Sequence, residues 1–150
     1  MAVLAIDQGT SATKAVVVAD DGTVIGLAEA RLTVRSSTDG GVEIQPDELW
    51  ASVLASGTQA LAAAGNPTLA AIGLANQGET VLAWDRATGR AVGPAIVWQD
   101  RRAGVVCDRL VAHGPRLAHL TGLELDPYFV APKIAWLRDR VDSSLTITTT

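Results

Sequence analysis

The residues best suited to chemistry lie in a polar segment between two short apolar runs near the N-terminus. Gly9 permits a tight turn and lets the backbone approach a ligand closely. The amides and hydroxyls of Thr10, Ser11 and Thr13 are expected to face outward, where they can bind an anion such as a phosphate. Asp7 is suited to hold a hard cation or its water ligands. The segment therefore predicts a phosphate-binding turn, and a plain hairpin turn is the alternative.

Two further polar clusters follow short apolar runs. Residues 76–80 follow the run 69–75, and residues 99–102 follow the run 95–98. If the three runs form neighbouring strands, their ends converge on one edge, where open α/β sheets bind ligands. We therefore expect the three clusters to share one site, and three separate solvated loops are the alternative.

The elements that position these clusters are predicted from apolar patterning. Residues 3–6, 14–19 and 23–34 are joined by short turns and are predicted to form an antiparallel meander. The polar residues 35–41 are predicted to form a loop. The short apolar run 69–75 is predicted to be a buried strand, parallel to the first.

A helix is predicted over residues 46–64. Pro46 suits its first turn, and Asp47 and Glu48 suit the positive end of the helix dipole. Apolar residues at helical spacing form one face, which comprises Leu49, Trp50, Val53, Leu54, Ala60, Leu61 and Ala64. We expect this face to lie in the core, with Trp50 as a packing residue.

Composition restricts the classes of protein. The chain has 150 residues, 48% of them hydrophobic, and a net charge of -4. It can form a core, and its charge gives no indication of nucleic acid or anionic membrane partners. Cys107, the single cysteine, lies in an apolar helical pattern and is expected in the core. No signal-peptide pattern or long apolar run is present, so we expect a cytoplasmic protein.

The motif D-Q-G-T-S-x-T-K at residues 7–14 resembles the first phosphate-binding segment of the sugar-kinase, actin and Hsp70 superfamily. Ordered matches to the FGGY carbohydrate kinases, glycerol kinases above all, then cover nearly the whole chain: G-V-E and P-D-E-L-W at 41–50, A-I-G and N-Q-x-E-T at 71–80, A-I-V-W-Q-x-R-R at 95–102, and T-G-L and D-P-Y-F at 121–129. The resemblance implies an α/β fold with a ribonuclease-H-like mixed sheet and flanking helices. It implies an incomplete lobe, the N-terminal part of the FGGY N-terminal domain without the second, nucleotide-binding domain.

The resemblance also implies roles for residues of the first cluster. Thr10, Ser11, Ala12 and Lys14 correspond to positions that meet the phosphates of ATP. Asp7 corresponds to the acid near Mg²⁺. ATP and Mg²⁺ are therefore the expected cofactors.

The same resemblance implies that one wall of a sugar pocket is formed by Gln77, Gly78, Glu79, Trp98, Asp100 and Tyr128. The carboxylate of Glu79 can accept hydrogen bonds from two neighbouring hydroxyls. Trp98 offers an apolar face to C–H groups of the sugar. For Trp98 and Tyr128, core packing is the alternative.

Two departures leave the acceptor open. Gly78 stands where glycerol kinases have an arginine, which removes donors from a polyol site. The segment Ala131-Pro132-Lys133 resembles xylulokinases more than glycerol kinases. A xylulokinase-like or other sugar kinase is therefore an alternative, and a non-catalytic polyol-binding module is another.

The implied activity is ATP-dependent transfer of the γ-phosphoryl group to a polyol or sugar hydroxyl. FGGY kinases are far longer and have two lobes around a cleft, and the expected base lies outside these 150 residues. We therefore assign no catalytic residue and expect the chain alone to be inactive. Apolar surface left bare on an incomplete lobe is expected to drive association into a homo-oligomer.

Overall fold

The computed structural model describes residues 1–149, which form two compact units. Unit 1 consists of Met1–Val34 and Ile44–Gln77. Unit 2 consists of Arg35–Glu43 and the described residues from Gly78 onward.

The strands and helices follow one another along the chain as β1 (Ala2–Gln8), β2 (Ala12–Ala19), β3 (Val24–Arg31), β4 (Arg35–Ser36), β5 (Val42–Ile44), α1 (Pro46–Ala63), β6 (Leu69–Asn76), β7 (Val81–Asp85), β8 (Arg90–Ala91), β9 (Ala95–Ile96), α2 (Gly104–Leu110), α3 (Gly114–Thr121), α4 (Val130–Arg138) and β10 (Thr146–Thr149). A short 3₁₀ turn, Val111–His113, lies between α2 and α3.

Unit 1 is built on a four-stranded mixed sheet in the order β3-β2-β1-β6. β1 pairs antiparallel with β2, and β2 pairs antiparallel with β3. β1 pairs parallel with β6, with Asp7 opposite Ala75 and Gln8 opposite Asn76. The predicted meander and the predicted parallel strand are both confirmed.

The core of unit 1 lies between this sheet and α1, which packs on β1, β2 and β3. Strand alternation points Leu4, Ile6, Ala15 and Val17 toward the helix, where they pack with Ala60. The helix begins at Pro46 as predicted, and Asp47 and Glu48 lie in its first turn.

The side chains that α1 buries differ from the predicted apolar face. Trp50 is 63% exposed and Leu54 is 51% exposed, so the interpretation of Trp50 as a packing residue is wrong. The buried residues are instead mostly small: Leu49, Ser52, Ser56, Gly57 and Ala60. Small side chains are required because the helix lies close to β3, where a Cβ on Gly26 would collide with the carbonyl oxygen of Ala60.

The prediction that residues 69–75 form a buried strand is wrong about burial. β6 exists and pairs with β1, yet Ile72 is 65% exposed and Leu74 is 64% exposed. These two side chains share the face of Leu4 and Ile6, but α1 packs over the other three strands. Apolar composition therefore indicated a strand without indicating what covers it.

Unit 2 contains a second sheet, in the order β10-β7-β9-β5-β4, with β8 paired to β7. Its core cluster consists of Val81, Ala83, Ile96 and Leu137. α4 packs on β7 and β10 and contributes Leu137 to this cluster.

The predicted loop at residues 35–41 is wrong for its first two residues. Arg35 and Ser36 form β4, which pairs antiparallel with β5. The turn of this hairpin is closed by the amide of Ser37, which donates to the carbonyl of Gly41 at 2.9 Å. Gly40 adopts a φ of 88°, which favours glycine.

Cys107 is buried, as predicted. Burial raises the pKa of its thiol, and the nearby carboxylates of Asp126 and Asp108 raise it further. A thiol in such surroundings stays protonated and unreactive. None of the helices within residues 1–149 has the length and apolar character needed to cross a membrane.

Candidate functional site

The turn between β1 and β2, residues 9–12, is closed by its own backbone. The amide of Gly9 donates to the carbonyl of Ala12 at 3.0 Å. A Cβ on Gly9 would lie 2.9 Å from that carbonyl oxygen, so only glycine fits without a shift. Ser11 is exposed at the tip of the turn, and its carbonyl accepts the amide of Leu32 at 2.9 Å. A turn anchored in this way presents polar groups in a fixed geometry.

The first and second polar clusters meet within unit 1. The hydroxyl of Thr10 donates to Oε1 of Gln77 at 2.7 Å, and the amide of Gln77 donates to the carbonyl of Gln8 at 2.8 Å. The contact arises because β1 and β6 are parallel neighbours whose carboxyl ends share an edge. Convergence is therefore confirmed for the first cluster and residues 76 and 77 of the second, which belong to the same unit. The third cluster belongs to unit 2, and its part in a common site remains a prediction.

Thr13 does not face outward as predicted. It is fully buried, and its hydroxyl shares a 2.6 Å hydrogen bond with the hydroxyl of Ser52 on α1. The reason is strand alternation: Thr13 shares the inward face of β2 with Ala15 and Val17. Its hydroxyl fixes the strand to the helix and is not available to a ligand.

The opposite face of the same strands carries a row of charges. Asp7 on β1 lies opposite Lys14 on β2, which lies opposite Glu29 on β3. The ammonium of Lys14 is 4.0 Å from the Glu29 carboxylate, and both side chains are largely exposed. Asp7 and Lys14 also line a shallow depression of about 490 Å³, floored by the small side chains of Ala5 and Ala75. Lys14 provides a positive charge for an anion, and Asp7 provides a negative charge for its counter-cation.

The Asp7 carboxylate suits a cation that already carries other ligands, such as waters or phosphate oxygens. Asp7 is exposed at the end of β1. Within residues 1–149, no three His, Cys, Asp or Glu side chains are grouped as metal ligands. Mg²⁺ commonly uses one or two carboxylates together with phosphate oxygens and waters. The chemistry of this single carboxylate is therefore compatible with Mg²⁺ bound to a nucleotide.

In unit 2, the contacting rings of Trp98 and Tyr128, together with Glu79, which accepts from the amide of Val130 two residues after Tyr128, make up the set that we call the aromatic wall. The rings of Trp98 and Tyr128 contact edge to face, with centroids 5.7 Å apart and planes at 61°. The ring of Tyr128 also packs against Phe129, at 5.1 Å and 84°. Tyr128 remains 38% exposed, so part of the residue is accessible from solvent. The wall combines apolar ring surface with a carboxylate, which suits a polyhydroxylated ligand.

Glu79 is held in an unusual backbone conformation. Its φ is 63°, in the left-handed region that a non-glycine residue adopts at a cost of roughly 1–3 kcal/mol. Its Oε2 accepts a hydrogen bond from the amide of Val130, the first residue of α4. One carboxylate oxygen is thus committed to the helix, and Oε1 takes no part in this bond. Strain of this kind is typical of functional positions.

The backbone of Tyr128 is anchored on both sides. Its amide donates to Oδ1 of Asp126 at 2.7 Å, and its carbonyl accepts from the ammonium of Lys133. Asp126 is in turn bound by the guanidinium of Arg101 at 2.8 and 3.4 Å. The backbone bond from Tyr128 contributes most to lowering the pKa of Asp126 below its ordinary 3.8, and Arg101 lowers it further.

Asp100 is buried and its carboxylate is occupied by protein donors. Oδ2 accepts from the amide of Val42 at 2.8 Å and from Nη2 of Arg102 at 2.6 Å. Oδ1 accepts from the amide of Arg102 at 2.9 Å. With the side chain only 1% exposed, the geometry favours a positioning role over contact with a sugar.

Arg102 links this carboxylate to other groups of unit 2. Its Nη2 is 2.7 Å from Glu43, and its guanidinium lies 4.8 Å above the ring of Trp136. Burial alone would lower the pKa of Arg102, but hydrogen bonds and charge from Asp100 and Glu43 outweigh it and raise the pKa. Arg102 therefore remains a permanent cation of the unit.

Gly78 is exposed beside Glu79, and a Cβ built on it meets no heavy atom within 4 Å. The first carbon of a side chain at this position would therefore meet open space. Sequence reasoning missed the hydrogen bonds by which Asp126 and Lys133 hold the backbone of Tyr128. The signal available for Lys133 was a single lysine within the apolar stretch V-A-P-K-I-A-W-L, residues 130–137.

Comparison with known proteins identifies the family. The sequence profile of the FGGY family of carbohydrate kinases, N-terminal domain, matches residues 2–147. A glycerol kinase of Rhodopseudomonas palustris is 46% identical over 143 residues, 93% of this chain and 29% of its own length. A glycerol kinase of Methylobacterium nodulans is 48% identical over 143 residues, 93% of this chain and 28% of its own length. The chain thus spans less than a third of the length of these curated relatives.

Solved structures give the same fold. A "xyloylose kinase" from Brucella ovis superimposes with a TM-score of 0.82 at 29% identity, covering 93% of this chain and 30% of its own. Plasmodium falciparum glycerol kinase with ADP superimposes with a TM-score of 0.83 at 27% identity, covering 98% of this chain and 32% of its own. The predicted α/β fold of the actin, Hsp70 and sugar-kinase superfamily is confirmed. The match over residues 2–147 shows that the chain belongs to the FGGY family of carbohydrate kinases.

Proposed function

We propose that the full-length protein carrying this chain is an ATP-dependent kinase that phosphorylates a hydroxyl of a polyol or sugar. The observation that carries the proposal is the aromatic wall in a chain of the FGGY family: Trp98 and Tyr128 are in ring contact, and Glu79 is bound to the start of the helix that follows Tyr128. Ring faces pack on the C–H groups of a polyol, and a carboxylate accepts from its hydroxyls. Gln77 and Gly78, which precede Glu79 in the sequence, are proposed as acceptor-binding residues on the family resemblance.

The turn at residues 9–12 supports the nucleotide half of the proposal. Backbone and hydroxyl groups of Thr10, Ser11 and Ala12 would hold phosphate oxygens, and Lys14 would supply a positive charge. Asp7 would hold the cation that accompanies the nucleotide. When bound, Mg²⁺ neutralises charge on the β- and γ-phosphates.

Such a site works by positioning and by electrostatic stabilisation. The chain's own groups would fix the acceptor and the phosphates, while the bond between the γ-phosphorus and the bridging oxygen breaks. A bond forms to the acceptor oxygen, and its proton passes to a base outside these 150 residues. We therefore propose that the chain is part of the N-terminal domain of a two-domain enzyme and is inactive alone. A cytoplasmic location and a homo-oligomeric state complete the proposal.

A second acceptor class, a sugar longer than glycerol, is favoured by one observation. Gly78 leaves open space where glycerol kinases carry an arginine. A longer chain of hydroxyls would fill that space.

The test is a coupled ADP-release assay on the full-length protein with Mg-ATP, screened against glycerol, xylulose, ribulose and other polyols. Acceptor-dependent ADP release supports the kinase, and the preferred acceptor decides between glycerol and a longer sugar. Polyol binding without ADP release on any acceptor would contradict the kinase and favour a binding module. The chain of residues 1–150, assayed in parallel, is expected to release no ADP.

A further inference from the structure

Lys133 is a fully buried cation that is bonded to Tyr128 of the aromatic wall. It lies on α4 and is the largest fully buried side chain of the described residues. A buried ammonium is costly unless polar groups surround it. Lys133 donates to the carbonyl of Tyr128, and its Nζ lies 5.7 Å from the centroid of the Tyr128 ring.

Three carboxylates of the same unit stabilise the charged form of Lys133. Burial lowers its pKa below the ordinary value, and Glu79, Asp100 and Asp126 act against this by favouring the charged form. Two of these carboxylates hold parts of the aromatic wall: Glu79 belongs to it, and Asp126 binds the amide of Tyr128. A single ammonium thus faces the negative charge of Glu79 and of the carboxylate that binds the amide of Tyr128.

Helix α4 also links Lys133 to Glu79, because it carries both Lys133 and the residue that bonds Glu79. The amide of Val130, in the first turn of α4, donates to Glu79, and Lys133 lies one turn further along. Tyr128 immediately precedes the helix and is bound through its carbonyl to Lys133. Hydrogen bonds within and from the segment 128–133 therefore hold both Tyr128 and Glu79.

We propose that Lys133 is a positioning residue that fixes Tyr128 against Trp98 and holds Glu79 in its acceptor-binding geometry. It acts through these residues and does not touch the acceptor. The part of the inference that concerns the acceptor rests on the proposed kinase function. The part that concerns the geometry of Trp98 and Tyr128 does not.

The test replaces the ammonium with an apolar group of similar length, Lys133→Met, in the full-length protein. Kinetics give the acceptor KM and the ATP KM, and 5-fluorotryptophan ¹⁹F spectra report the Trp98 signal, assigned with Trp98→Phe. We expect the acceptor KM to rise roughly tenfold, the equivalent of one lost charge-assisted hydrogen bond, with the ATP KM unchanged. The Trp98 signal should shift or broaden in the unliganded protein.

Leu137→Ala is the control for a merely structural role. Leu137 is a buried residue of the same helix that packs in the core cluster with Val81 and Ile96. This variant should lower stability and leave the acceptor KM and the Trp98 signal unchanged. Lys133→Arg, which keeps the charge, should restore part of the affinity. Lys133→Gln, which removes the charge and stays polar, serves as the test if Lys133→Met fails to fold.

The outcomes separate the inference from the proposed function. An unchanged Trp98 signal in folded Lys133→Met or Lys133→Gln, with an unchanged acceptor KM, overturns the positioning role. Equal effects in Leu137→Ala overturn it as well. If the wild-type protein shows no acceptor-dependent ADP release, the kinase proposal fails, and the ¹⁹F comparison still decides whether Lys133 fixes the ring pair.

Discussion

Replacing Asp100 with asparagine distinguishes a carboxylate that contacts sugar from one that holds the protein together. Asparagine keeps one oxygen, which can still accept from the amide of Arg102. An NH₂ group replaces Oδ2 and meets three donors: the amide of Val42 at 2.8 Å, and Nη2 and Nε of Arg102 at 2.6 and 3.0 Å. The substitution therefore removes three hydrogen bonds to Oδ2 and the negative charge in a site where Asp100 is 1% exposed.

The expected cost follows from these contacts. Removing one partner of a buried ion pair costs roughly 3–5 kcal/mol. Glu43 remains 2.7 Å from Arg102 and retains part of the compensation. We therefore expect Asp100→Asn to lower the free energy of unfolding by about 2–4 kcal/mol.

The assay is urea unfolding of the chain, followed by circular dichroism, with Asp139→Asn as the matched control. The carboxylate of Asp139 is 3.9 Å from Arg109, with both side chains mostly exposed. Such a pair contributes roughly 0–1 kcal/mol. A loss for Asp100→Asn no larger than that of the control would refute the positioning role and favour contact of Asp100 with the sugar, as the family resemblance implies.

Three further predictions follow from the same contacts. Gly26→Ala should cost roughly 1–3 kcal/mol of stability, because its Cβ meets the carbonyl of Ala60, whereas Gly73→Ala, with open space, should stay within about 0.5 kcal/mol in the same urea assay. Gly78→Arg should fold normally and shift kcat/KM in the full-length protein toward glycerol, and Gly78→Met, without donors, should not. The pKa of Asp126 is lowered, so its stabilising contribution is present at neutral pH and is lost as pH falls through the folded-state pKa below 3.8. The urea midpoint should therefore fall less for Asp126→Asn than for wild type between about pH 5 and pH 3, and equal losses would contradict this.

Local patterning predicted the hairpin of unit 1 and the span of α1, but it did not predict which face of the helix is buried. The periodicity of α1 allows more than one stripe, and the largest apolar side chain, Trp50, lies outside the buried one. The choice depends on Gly26 of β3, which lets the helix approach so closely that small residues such as Ser56 and Ala60 must face the sheet. That constraint is between distant parts of the chain and cannot be read from the helix alone.

The candidate site shows the same limit. Family resemblance gave the residue types of the aromatic wall, and the structure brings Trp98 and Tyr128 into contact. The hydrogen bond from the amide of Val42 to the carboxylate of Asp100 joins residues 58 positions apart, and no local pattern predicts it. The bond from Lys133 to Tyr128 is local, but its importance depends on burial, which the sequence did not give.

Acceptor kinetics of Glu79→Gln in the full-length protein test the central claim most directly, with Glu124→Gln, an exposed residue of the same unit, as the control. One lost charge-assisted bond, worth roughly 1.5–3 kcal/mol, corresponds to a fall of about 10-fold to 150-fold in kcat/KM for the acceptor. We predict that fall for Glu79→Gln, with an unchanged KM for ATP and no effect of Glu124→Gln. An unchanged kcat/KM for every acceptor in Glu79→Gln would contradict the assignment of the aromatic wall as the acceptor site.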